Sequence, residues 1–142
     1  MSEKKIVGSC ELISLLDLEL FDLDAKVDTG AHTCALHCDD IYLDDDGNVH
    51  FTLLDKIHPA YHGKRLVMPL YKIKEVKSSN GLVQSRACIK VTAHFFGKNY
   101  KTIITLTNRA DMKYPMLIGK TFLKNRFLVD VSQEYLSTKG KA

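Results

Sequence analysis

Between Leu18 and Val27 apolar and polar side chains alternate apart from the adjacent Leu20-Phe21, as Leu18-Glu19-Leu20-Phe21-Asp22-Leu23-Asp24-Ala25-Lys26-Val27. Alternation is the two-residue period of a strand with one buried face. Shorter runs rich in β-branched and aromatic residues recur at 5–7, 25–27, 41–43, 49–53, 65–68, 87–96 and 100–106, the composition that suits a pleated, half-buried surface. Between them stand Asp46-Gly47-Asn48, Asn80-Gly81 and Gly97-Lys98-Asn99, residues that tolerate the positive φ of tight hairpin turns. Many short strands joined by such turns predict a mainly β chain, closed or sandwiched into a barrel. One helix-like stretch, 121–125, follows Met116-Leu117-Ile118-Gly119-Lys120 near the C-terminal end.

At 142 residues the chain is read as a single domain, 1–142, because it is too short for two independent cores. Asp17, Glu19, Asp22 and Asp24 interrupt the leucine-rich segment near the start, so neither a leader nor a membrane span is expected. Cys10, Cys34, Cys38 and Cys88 are too dispersed for a secreted disulfide framework. They read as reduced thiols of a cytoplasmic protein. A net charge of +3 without a basic tract gives no reason to expect nucleic acid. Lys64, Arg65, Lys72, Lys74, Lys77 and Arg86 do cluster in the middle third, where they would steer an acidic peptide. The alternation of Tyr71-Lys72-Ile73-Lys74-Glu75-Val76-Lys77 equally reads most of them as outward, solvated positions on a hairpin.

Asp28-Thr29-Gly30 closes the alternating run. Asp and Gly are ordinary turn residues, so the tripeptide alone has a plain structural reading. Its chemical reading is half of an aspartic peptidase site. Such a site needs two carboxylates sharing a proton, one acting as base toward water while the other polarises the scissile carbonyl. The chain has one such tripeptide, so a catalytic role requires a homodimer with the site on its two-fold axis.

Five ordered segments resemble a known family: Ala25-Lys26-Val27-Asp28-Thr29-Gly30-Ala31, Ala35-Leu36-His37, Val76-Lys77-Ser78-Ser79-Asn80-Gly81, Leu106-Thr107-Asn108-Arg109-Ala110-Asp111-Met112 and Phe127-Leu128-Val129-Asp130. The family is the bacterial retropepsin-like one that goes by the name ATP-dependent zinc protease, RimB-like and RimK-associated. The resemblance implies a retropepsin-like closed barrel, one lobe of the acid protease fold, with one short C-terminal helix. It implies an aspartic-type peptidase in which Asp28 of each subunit activates water, Thr29 braces the two turns across the axis, and Gly30 leaves the carboxylate approachable. Met116-Leu117-Ile118-Gly119 matches the apolar-apolar-Gly element behind the Asp turn. Ser78, Ser79 and Asn80 take the place of the flap over bound peptide, flanked by Lys77 and Arg86 as contacts for substrate carboxylates. Arg109 is a further carboxylate ligand, or is bracketed internally by Asp111. Relatives such as RimB are associated with ATP-grasp ligases of the RimK type, which add glutamates to protein C-termini. Trimming of glutamate-rich tails beside such a ligase is the function implied.

The family's name asks for zinc and ATP, and the residues give each little support. His-Glu-x-x-His is absent. His32, Cys34, His37 and Cys38 carry suitable donors, and on one extended strand His32, Cys34 and Cys38 would face one side with His37 on the other. A zinc-dependent hydrolase would have to be built from those three; otherwise no cofactor is expected. Cys34 also departs from the family, where Ser is expected. Gly119-Lys120-Thr121 lacks the upstream Gly of a phosphate-binding loop, with Tyr114 in its place. The remaining alternative is a non-catalytic module that binds acidic tails for a partner enzyme.

Overall fold

The computed structural model describes residues 4–53, 65–77, 81–108 and 113–138. Along these run β1 (Lys5–Val7), β2 (Cys10–Leu15), β3 (Leu20–Val27), β4 (Cys34–Leu43), β5 (Asn48–Leu53), β6 (Arg65–Pro69), β7 (Lys72–Lys77), β8 (Val83–Phe95), β9 (Lys98–Thr107), β10 (Met116–Ile118), the single-turn helix α1 (Lys120–Leu123) and β11 (Phe127–Val129). The strand order β10-β3-β2-β8-β9-β4 closes on itself because β10 pairs with β4 as well as with β3. The result is a six-stranded retropepsin-like barrel with β5 and β6 extending beyond β4, and β7 lying beside β8. Closure leaves none of the six barrel strands as a free edge.

Inward positions fill the barrel. Ile13, Leu36, Phe51, Ile89, Ile104 and Leu106 are all at or below 1% exposure, each contributing about 1.5–3 kcal/mol by leaving water. At one end Phe95 packs edge-on against Phe122 and Phe127 with centroids 5.6 and 5.2 Å apart, and Tyr100 meets Phe122 at 5.4 Å. This aromatic cluster seats α1 and β11 on the barrel. The parallel β1–β11 pair is a separate two-stranded sheet. Buried Glu11 ties both chain ends together. Its carboxylate accepts the backbone N–H groups of Gly8 at 2.7 Å, Leu136 at 3.0 Å and Ser137 at 2.9 Å.

The strand reading is borne out for all seven runs, with two adjustments. β2 escapes the pattern because it is buried on both faces, so its sequence does not alternate. The turn expected at 97–99 falls one residue earlier. Phe95 pairs with Lys98, and Phe96 and Gly97 take φ of 51° and 78°, the pair of positive values that a two-residue hairpin turn demands. The helix expected at 121–125 starts at Lys120 and stops at Leu123. The four cysteines are free and buried, and among the described residues no helix is long and apolar enough to cross a membrane.

Candidate active site

The site is made where β10 wedges between β3 and β4. It pairs in parallel with β3 (Ile118 opposite Val27) and antiparallel with β4 (Leu117 opposite Ala35). The 28–33 turn that joins β3 to β4 therefore arches over the end of β10 and is held from below. Asp28 N–H donates to the Ile118 carbonyl at 2.9 Å and Ala31 N–H to the Asp28 carbonyl at 3.1 Å. From α1, Lys120 N–H donates to the Ala31 carbonyl at 2.8 Å and Thr121 N–H to the His32 carbonyl at 3.0 Å. Four backbone bonds fix a loop that would otherwise be mobile. Gly119 is required by this approach, since a β-carbon there would overlap the Thr33 carbonyl and lie 3.0 Å from that of Ala31. The apolar-apolar-Gly element thus lies behind the Asp turn, as the resemblance implies.

Asp28 is half-buried. Its Oδ1 accepts Gly30 N–H at 3.0 Å, which sets the carboxylate's orientation; a β-carbon at Gly30 would press to 3.3 Å against that oxygen. The carboxylate borders a cleft of about 580 Å³ whose walls include Ala31, Thr33 and Thr105 on the barrel side and Lys74, Glu75, Val76 and Lys77 from β7. Arg86 of β8 also lines it, and with Thr107 it borders an adjoining hollow of about 390 Å³. Thr29, on the other side of the turn, is exposed and borders a different hollow with Leu123, Phe127 and Val129.

The expected substrate contacts divide. Lys77 and Arg86 do line the cleft, while Ser78, Ser79, Asn80, Arg109 and Asp111 lie outside the described residues. The β7–β8 pairing runs to Lys77 opposite Val83, the hairpin on which a flap would be carried. The reading of the basic cluster as outward is corrected at Lys74, which is half-buried with its ammonium 3.5 Å from the Thr33 hydroxyl. Period-two alternation says which residues share a face, not whether that face meets solvent or a cleft, so it does not separate Lys74 from the exposed Lys72.

The zinc donors do not converge. His32 is exposed in the Asp turn, whereas Cys34 and Cys38 point into the barrel from β4, about 13 Å apart at the rise of a strand. His37 is buried on the opposite face. Among the described residues no group of three or more His, Cys, Asp or Glu is placed to hold a metal. Burial pushes the Cys34 thiol up to about 11 and the Cys38 thiol well above its ordinary value.

Comparison with known proteins agrees with this geometry. A family model described as retropepsin-like aspartic endopeptidase RimB matches residues 6–140, and the chain belongs to this RimB-like family. It is 30% identical over 141 residues to a protein of Shewanella halifaxensis named probable alpha-L-glutamate ligase, covering 95% of this chain and 30% of that one. Proteins of the same name from Shewanella pealeana and Parasynechococcus marenigrum are each 31% identical, over 99% and 92% of this chain and 32% and 28% of theirs. The chain thus spans about a third of the length of these curated relatives. A crystal structure of Lpg0085, a Legionella pneumophila protein of unknown function, superposes with a TM-score of 0.75 at 24% identity, covering 95% of this chain and 99% of that one, and so shares its fold.

Proposed function

We propose, from membership of that family, that the chain is an aspartic-type peptidase acting as a homodimer. Asp28 from each subunit forms the dyad: one carboxylate takes a proton from water as the other, protonated, polarises the scissile carbonyl. The observation that supports this reading most is the placement of Asp28, held by backbone bonds on a clamped turn at the wall of a peptide-sized cleft. Thr29, exposed beside it, is available to brace the partner's turn across the axis. The β7–β8 hairpin closes over an extended peptide, with Ser78, Ser79 and Asn80 at its tip and Lys77, Arg86 and Arg109 as contacts for carboxylates. Water is the only co-reactant; no metal or nucleotide enters the step.

The substrate we propose is a glutamate-rich tail added by an ATP-grasp ligase, in the cytoplasm. The name shared by the longer relatives, probable alpha-L-glutamate ligase, supports a working association with such an enzyme. That same observation favours one second reading, in which the cleft holds acidic tails for a ligase without cutting them.

Dimer and dyad are tested by mixing. Inactive Asp28→Asn protein is added to a fixed amount of wild type, allowed to exchange, and peptide hydrolysis is followed. Activity should fall below wild type alone as mixed dimers form, and specific activity should rise with protein concentration. A response proportional to wild-type content at every ratio would contradict a shared site. Two like carboxylates should also titrate as a coupled pair, giving a bell-shaped pH–rate profile.

A further inference from the structure

Lys74 and Arg86 face each other directly across the β7–β8 ribbon, so their side chains project from the same face, and both line the cleft that contains Asp28. Both positions are half-buried, where water screens charge less. Arg86 donates to the Gln84 side-chain oxygen at 3.1 Å, which holds its guanidinium along the ribbon. The Lys74 ammonium has one polar partner among the described residues, the neutral Thr33 hydroxyl, at 3.5 Å, the outer limit of a hydrogen bond.

Behind that contact runs a chain of small polar groups. Thr33 Oγ1 lies 3.1 Å from Thr105 Oγ1, which lies 3.6 Å from the buried Cys88 Sγ. A lysine ammonium only donates. Thr33 Oγ1 therefore accepts from Lys74, while either hydroxyl can donate in the Thr33–Thr105 contact and either group in the Thr105–Cys88 contact. The chain anchors Lys74 on the cleft wall without neutralising it. A carboxylate would replace a long bond to a neutral oxygen with a short charge-assisted one.

We infer that the Lys74–Arg86 pair is a carboxylate-binding subsite of the cleft, with Lys74 as the residue that determines specificity for acidic over neutral peptide side chains. The inference rests on the cleft being the peptide site proposed above and extends it to a subsite and the residue that reads it. The alternation of the sequence gives no sign of it, because Lys74 has the same pattern as the solvated Lys72.

Binding is measured apart from turnover by using Asp28→Asn protein and fluorescein-labelled tetraglutamate, tetraglutamine and C-terminally amidated tetraglutamate. Tetraglutamate should bind more tightly than tetraglutamine. Lys74→Met should weaken the tetraglutamate complex about tenfold, the value of one charged hydrogen bond, leave tetraglutamine within about twofold, and make tetraglutamate binding less salt-sensitive. Lys74→Arg should restore most of the affinity, and equal melting temperatures of the two variants exclude unfolding as the cause. The loss should remain with the amidated peptide; if it disappears, Lys74 reads the chain terminus and the side-chain reading is overturned. Equal losses for glutamate and glutamine peptides, or no preference between them in unaltered Lys74 protein, would overturn the inference. Turnover separates it from the proposed activity. Cleavage by wild type, with the same selectivity in Lys74→Met, sinks the subsite alone. Glutamate-selective binding through Lys74 without cleavage by wild type sinks the peptidase reading alone.

Discussion

Replacing Gly119 by alanine should damage stability and catalysis together. The added methyl would overlap the carbonyl of Thr33 and approach that of Ala31 to 3.0 Å, and neither neighbour can swing aside because both are backbone. Relief has to come from parting 119–121 from 31–33, which strains or breaks the bonds from Lys120 N–H to Ala31 and Thr121 N–H to His32. Overpacking costs about 1–3 kcal/mol and each weakened bond about 1 kcal/mol. A total near 3 kcal/mol corresponds to a fall in Tm of roughly 10 °C for a domain of this size. Asp28 belongs to the same turn, and a displacement of about 1 Å at a reacting group costs on the order of 100-fold in rate. Thermal melts and turnover measured well below both melting points separate the two effects. Gly47→Ala is the control: its surroundings are open and its φ is +83°, so it should lose about 1 kcal/mol of stability and keep its turnover. A Gly119→Ala protein melting within 2 °C or so of wild type with full activity would refute the clamp.

Glu11→Ala should cost about 3 kcal/mol or more in urea unfolding, because it strands the N–H groups of Gly8, Leu136 and Ser137 at about 1–3 kcal/mol each where buried; a loss under about 1 kcal/mol would show that water replaces the carboxylate. Phe122→Ala removes the centre of the cluster with Phe95, Tyr100 and Phe127 and should lower stability by about 3–5 kcal/mol. The Cys34 thiol, raised chiefly by burial from 9.0 to about 11, holds its proton more firmly folded than unfolded. Its contribution to stability is complete below pH 9 and is lost as pH rises through 11, so the drop in Tm over that range should be smaller in Cys34→Ser. Chelator treatment should leave hydrolysis unchanged, and loss of activity restored by zinc would favour the metal-dependent alternative.

The sequence makes the Leu23–Val27 half of β3 legible, because buried Leu23, Ala25 and Val27 are separated there by the less buried Asp24 and Lys26. It hides β2, whose residues Cys10, Glu11, Ile13, Ser14 and Leu15 are all buried and carry no period. Glu11 illustrates the same limit. A charged residue in an apolar run reads as an exposed position, yet it is held inside by three N–H groups from segments far apart in the chain. The Asp turn is legible from its residue types and from the apolar-apolar-Gly element, since only glycine tolerates the backbone approach at 119. Spacing alone does not place the zinc donors. Parity on a strand says that Cys34 and Cys38 share a side, and that side is the barrel core. Lys74 shows the converse: alternation groups it with exposed Lys72, and it lines the cleft.

The most direct measurement is mass spectrometry of a protein bearing a C-terminal oligoglutamate tail, incubated with wild type and with Asp28→Asn side by side. Wild type should shorten the tail and Asp28→Asn should leave it intact. Cleavage that persists in Asp28→Asn, or an unshortened tail with wild type, would contradict catalysis by the Asp28 dyad.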